Sequence, residues 1–99
     1  MAYRLIYTKA AGRDLAGIVS SIARDDRCAA ENVGLKLIEL AESLTLFPHQ
    51  GTAVRKRVGV RKVQRAPYVV LYRVDETREM VRVQRFWRIM SDPQSRPTE

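Results

Sequence analysis

Six cations in the second half of the chain, Arg61, Lys62, Arg65, Arg82, Arg85 and Arg88, are interleaved with short apolar runs. Guanidinium and ammonium groups stay charged at neutral pH, so they hold anions well and accept protons poorly. Three more cations stand together as Arg55-Lys56-Arg57, and Tyr68 supplies a hydroxyl within the same stretch. The whole chain carries eighteen Lys and Arg against eleven acids, a formal net charge of +7. Charge crowded between Arg55 and Arg88 points to a polyanionic partner, either a nucleic acid or an acidic polypeptide, because clustered cations raise the local concentration and capture rate of anions. A basic surface that serves only solubility is the alternative. His49, beside Pro48 in a stretch without a partner pattern, reads as a solvated loop histidine. The lone Cys28 has no second cysteine to bond and reads as a small, buried or half-buried residue. One histidine and one cysteine make no metal-ligand set, so neither a metal nor another cofactor is expected.

The elements that must position these groups follow from periodicity. Residues 3–7 are β-prone and end at Thr8, whose hydroxyl can accept from the free amides of a helix start. From Ala11, Leu15, Ile18, Val19 and Ile22 recur at helical spacing, with Arg13, Gly17, Ser20 and Arg24 opposite. Asp25-Asp26 then supplies a break and a second cap, after which Ala30, Val33, Leu37, Leu40 and Leu44 form another stripe that runs to Phe47-Pro48. This predicts a helical hairpin. Residues 48–59 mix Pro, Gly and charge without a period and read as a loop. Three strands are expected next, over 60–65, 68–74 and 79–86; the middle one is apolar enough for the centre of a sheet, and the last alternates Val81 and Val83 with Arg82 and Gln84. Residues 75–78 join the last two strands as a hairpin, and Pro67 stands where a missing amide does least harm. Phe86 and Trp87, as neighbours on a strand, should face opposite sides.

The expected fold is therefore α+β, in the order β-α-α-β-β-β, with the helical hairpin packed on one face of a small antiparallel sheet and the other face partly open and lined with arginine. Residues 1–92 are read as one domain and 93–99 as a flexible tail with almost no apolar content. No window is apolar enough for a membrane span, and the start of the chain has no run of signal-peptide length, so a cytoplasmic location is expected. On the second helix Leu35 and Ile38 point away from the buried stripe toward Glu31, Glu39 and Glu42. Either they are ordinary surface hydrophobes, or a partner segment lies across them and gains roughly 1.5–3 kcal/mol from each one fully buried.

At this level of detail the sequence resembles the RelE/ParE superfamily of small toxins, over residues 3 to about 92. The opening YRLIYTKAAGRDLAGI is similar to that family's strand leading into "A..DL..I"; ESLTLFPHQG, GVRKVQRAPYVVLYRVDE and RVQRF follow in the family's order and spacing. The resemblance implies the toxin of a type II toxin–antitoxin pair, bound in a hetero-oligomer by a small cognate antitoxin whose flexible segment folds onto it. Leu35, Ile38, Arg55, Lys56 and Arg57 are then the expected antitoxin contacts, and an acidic segment that orders on binding suits so basic a surface.

Two branches of the family divide the remaining reading. In the RelE-like branch, a ribosome-dependent mRNA endonuclease, arginine and lysine hold phosphate and stabilise the charge that develops in cleavage. Here Val69 follows Tyr68 where that branch often has arginine, and Arg88, Ile89 and Met90 stand where many relatives carry a His-Gly pair and a basic residue. A nuclease built on this sequence has to rely on Arg61, Lys62, Arg65, Arg82, Arg85, Arg88 and Tyr68, a set without an obvious general base. The ParE-like branch is associated with binding DNA gyrase, which needs a surface and no chemistry; Arg65, Arg82, Arg85, Trp87 and Arg88 are the expected contacts, with Trp87 as an aromatic anchor. An inactive relic that only binds antitoxin is the third reading.

Overall fold

A computed structural model of the chain describes residues 2–89. The first strand, β1 (Arg4–Tyr7), ends at Thr8, whose hydroxyl accepts the amide of Ala11 at 3.1 Å and starts helix α1 (Lys9–Ala23). Asp26 does the same for α2 (Arg27–Ser43), accepting from Ala29 at 3.0 Å. The two helices pack closely at Gly34, where a Cβ would stand 3.2 Å from a methyl of Val19. Beyond them lie β2 (Thr52–Ala53), β3 (Val60–Arg65), β4 (Tyr68–Asp75) and β5 (Met80–Arg88). The α+β architecture and the helical hairpin on one sheet face are as the periodicity predicts.

The sheet has five strands in the order β1-β5-β4-β3-β2. It is mixed where a wholly antiparallel sheet was expected: β1 runs parallel to β5, with Arg4 opposite Met80 and Tyr7 opposite Val83. The period of a strand records which face is buried and carries nothing about the direction of its neighbour. The fifth strand, β2, comes from the stretch read as loop, and two residues leave no period to detect. Residues 93–99, expected as a tail, lie outside the described residues.

Tyr72, Phe86, Leu44, Val70, Val81 and Val83 are almost wholly buried between sheet and helices, against Leu15 and Ile18 of α1 and Leu37 and Leu40 of α2. A second, smaller apolar cluster of Val60, Val69, Leu71 and Trp87 covers part of the opposite face, with Val54 and Ile89 against it. Cys28 is exposed rather than buried, since it precedes the first residue of α2 that reaches the core, Ala30. Among the described residues no helix is long and apolar enough to cross a membrane.

Candidate functional site: the basic sheet

Register decides which face each cation occupies. Residues opposite one another on neighbouring strands share a face. On the side away from the helices the rows run Ile6–Arg82–Arg73–Val60, then Arg85–Leu71–Lys62, then Trp87–Val69–Gln64. On the helix side they run Val83–Tyr72–Arg61, Phe86–Val70–Val63 and Arg88–Tyr68–Arg65. The residues singled out in the sequence therefore separate. Lys62, Arg82, Arg85 and Trp87 belong to the open face, whereas Arg61, Arg65, Arg88 and Tyr68 belong to the side that carries the helices.

A bulge creates part of this pattern. Tyr72 pairs with Val83 but its neighbour Leu71 pairs with Arg85, so Gln84 is the extra residue on β5. Without it Phe86 and Trp87 would exchange faces, because a shift of one residue turns every later side chain over. As it stands, Phe86 enters the helix-side core and stacks on Tyr7 at 6.3 Å between ring centres. Trp87 faces the other way, as expected of a strand neighbour, yet only 8% of it is exposed because the smaller cluster holds it.

Past Val83, among the described residues, β5 has no strand on its outer side, since β1 ends at Tyr7. Two side chains fill that gap. The Thr8 hydroxyl donates to the carbonyl of Gln84 at 3.0 Å, and Asp14 of α1 accepts the amide of Phe86 at 3.1 Å. The same carboxylate takes Arg85 in a two-pronged ion pair, 2.6 Å from Nε and 3.1 Å from Nη2. This hydrogen bond to Asp14 raises the Arg85 pKa. Arg85 is thus engaged within the protein, and Asp14, which sequence reasoning did not single out, is what engages it.

Arg61 has a similar internal task. Its Nη1 donates to the carbonyl of Gly51 at 2.7 Å, while the Tyr72 hydroxyl donates to the carbonyl of Pro48 at 2.9 Å and accepts the Gly51 amide at 3.0 Å. Together they fasten the 48–51 loop to the sheet. Gly51 is required there, because a Cβ would meet the Lys62 carbonyl oxygen at 2.5 Å. Burial pushes the Tyr72 phenol above its ordinary pKa, with the Gly51 hydrogen bond and the Arg61 charge working in the opposite direction. His49, read as a solvated loop residue, is exposed and bonds to Glu76.

Arg55, Lys56 and Arg57 lie in the turn that leads into β3, with Lys56 at a φ of 67° and Gly59 at 78°. Lys56 and Arg57 border an open cavity of about 450 Å³ floored by Val54, Val60 and Val74. Leu35 is 57% exposed, whereas Ile38 is half-buried. Sequence reasoning also passed over Arg73. Its signal was present, since Arg73 follows Val69 and Leu71 at a spacing of two on one face of β4, but the unbroken apolar run around it hid the period.

A helical hairpin on one face of a mixed sheet is a fold shared with solved small toxins. The toxin–antitoxin complex RelBE2 from Mycobacterium tuberculosis superposes with a TM-score of 0.72 at 23% identity, covering 89% of this chain and 99% of that one. The chromosomal ParDE system of P. aeruginosa gives 0.72 at 22% identity, covering 90% and 98%. The isolated E. coli RelE toxin gives 0.60 at 20% identity, covering 94% and 90%. At such identities the likeness concerns the fold. No curated protein matches the sequence at comparable stringency. Residues 5–92 match the family described as ParE toxin of type II toxin–antitoxin system, parDE, and the chain belongs to that family.

Proposed function

We propose that this toxin arrests growth by binding DNA gyrase and is held inactive by a cognate antitoxin. The observation that carries the gyrase reading is the make-up of the open face. Lys62, Arg73 and Arg82 stand beside the cluster of Val60, Val69, Leu71 and Trp87, whose side chains are buried, so the face presents cations on a firm apolar footing, a surface that can capture an acidic protein partner without chemistry. Proton transfer has little support there. The chain's one imidazole is bonded to Glu76, and the buried Tyr72 hydroxyl is used by Pro48 and Gly51.

Antitoxin binding is supported by the solved RelBE2 and ParDE systems, both named as toxin–antitoxin assemblies. The exposed Leu35 and the Arg55–Lys56–Arg57 turn are the surfaces we assign to it. One specific arrangement favours the alternative, an mRNA endonuclease acting on the ribosome: Tyr68 stands in register between Arg65 and Arg88, a hydroxyl flanked by two guanidinium groups.

Induced expression in a bacterial host separates the readings. Gyrase inhibition is expected to arrest growth with altered plasmid supercoiling and intact messages, and co-expression of the antitoxin should restore growth. Codon-phased cuts in translated mRNA with normal supercoiling would replace this reading by the nuclease. Unimpaired growth would mean an inactive, antitoxin-binding protein.

A further inference from the structure

The helical hairpin does not press evenly on the sheet. Helix α1 lies on β5 and α2 leans on α1, so α2 approaches β3 and β4 less closely. Between α2 and the turn that joins β3 to β4 a slot of about 170 Å³ remains, walled by Val33, Leu37 and Leu40 on one side and by Ala66, Pro67 and Tyr68 on the other. Leu37 and Leu40 are buried and belong to the main core, and Tyr68 is half-buried against it, so the floor of the slot is apolar and held in place. A dry apolar cavity of roughly 150 Å³ holds a benzene molecule, so there is room for one isobutyl group or phenyl ring.

Charge gathers at the mouth. Lys36 of α2 and Arg65 at the end of β3 line both the slot and the wider groove of about 580 Å³ into which it opens, and Glu39, one turn along α2 from Lys36, lines the groove. All three are exposed, and among the described residues their side chains make no hydrogen bond or ion pair. Lys36 and Glu39 stand at a helical spacing of three, where opposite charges commonly pair, yet both are left open. Ser43, the remaining polar side chain of the groove, is occupied: its hydroxyl donates to the Leu40 carbonyl at 2.6 Å and accepts from Gln50 Nε2 at 2.9 Å. The groove thus offers two cations, one carboxylate and an apolar slot.

We propose that this groove binds a free α-amino acid with an apolar side chain of leucine or phenylalanine size. The side chain would fill the slot, the α-carboxylate would lie between Lys36 and Arg65, and the α-ammonium would meet Glu39. An amino acid carries both charges beside one apolar branch, which is the pattern the groove presents. An apolar lining with a few convergent polar groups is also the usual make-up of a small-molecule site. Other anions fit less well. A nucleic-acid phosphate would leave the slot empty and be repelled by Glu39, and a fatty acid would leave Glu39 without a partner. The inference goes beyond the gyrase reading and rests on no target, since it concerns the toxin alone.

The test uses the purified, isotope-labelled full chain, with L-leucine and L-phenylalanine titrated into the millimolar range and followed by amide chemical shifts. Saturable shifts are expected along α2 from Val33 to Ser43 and in the turn at Ala66. L-Alanine, three carbons shorter than leucine, should bind about sixty-fold more weakly, since each buried methylene contributes about fourfold. Lys36→Gln and Arg65→Gln should each weaken leucine binding roughly tenfold, and so should Glu39→Gln. All three positions are exposed, so the melting temperature should hold in each variant. 4-Methylpentanoate, which has leucine's side chain and carboxylate but no ammonium, should bind the wild type roughly tenfold more weakly than leucine and lose nothing in Glu39→Gln. No saturable shift with either amino acid overturns the proposal, and so do shifts confined to another part of the protein. Alanine that binds as well as leucine would also overturn it, by showing that the slot takes no side chain. Equal binding of leucine and 4-methylpentanoate, unmoved by Glu39→Gln, would replace it with a simple carboxylate site. None of these outcomes depends on whether gyrase is the target.

Discussion

The two faces of the sheet are built from the same three strands and do different work. On the helix side, Tyr72, Val83 and Phe86 are sealed beneath α1 and α2, and two polar groups next to them are bound internally, Arg61 to Gly51 and the Tyr72 hydroxyl to Pro48 and Gly51. On the other side, among the described residues, no helix covers the strands. A small cluster around Trp87 holds the centre, and Arg73 and Arg82, partners across β4 and β5, stand exposed at its border. A face closed by packing adds to stability; a face that sets like charges opposite one another adds less.

The sharpest way to break this comparison is to remove the aromatic ring on each side. Phe86→Ala should cost about 3–5 kcal/mol in urea denaturation, because the cavity would open in the middle of the main core. Trp87→Ala should cost less, about 2–3 kcal/mol, since its cluster is the smaller of the two and loses fewer contacts. Equal losses would mean that the open face is as much a core as the covered one.

A smaller effect probes the polar fastening beneath the helices. Tyr72→Phe leaves the Pro48 carbonyl and the Gly51 amide without their partner and should cost about 1–2 kcal/mol. The same variant has a pH signature. Because the phenol's pKa is raised in the folded protein, folded and unfolded chains are both neutral below about pH 10 and stability does not respond there. Above that the unfolded chain ionises first, so stability falls until the folded pKa is passed. Tyr72→Phe should flatten that alkaline fall. Tyr7, also raised by burial and by Glu42, will keep part of it. An unchanged alkaline slope in the variant would show that the Tyr72 hydroxyl is not held as described.

The smallest expected effect lies at the edge between the two faces. Asp14→Ala removes the acceptor for the Phe86 amide and frees Arg85, and chemical denaturation should register about 1 kcal/mol, modest because the guanidinium is partly exposed. Growth inhibition measured beside it sharpens the point: if Arg85 is a target contact, freeing it should alter toxicity more than stability. Equal toxicity in Asp14→Ala and wild type would confine Arg85 to a structural role.

Much of the fold was legible before any coordinates. Thr8 and Asp26 are the helix caps their chemistry suggested, and the stripes through Leu15 and Ile18 and through Leu37, Leu40 and Leu44 are the buried ones. The site was legible only as a list. Arg61 and Lys62 are neighbours in sequence and lie on opposite faces, and Arg85 was read as a free cation although Asp14, 71 positions away, holds it. Arg73 was overlooked because its meaning depends on Arg82 across the strand.

The sequence by itself determined what depends on residues close along the chain: helix starts, hydrophobic periods, the hairpin, the basic character and, by resemblance, the family. Tertiary structure decided the direction of β1 against β5, the bulge at Gln84 that sends Phe86 and Trp87 to their faces, and which cations are tied down and which stay exposed. The physical reason is distance. Propensity and capping act within a few residues, whereas register, strand direction and charge pairing join groups far apart in the chain that only the folded sheet brings together.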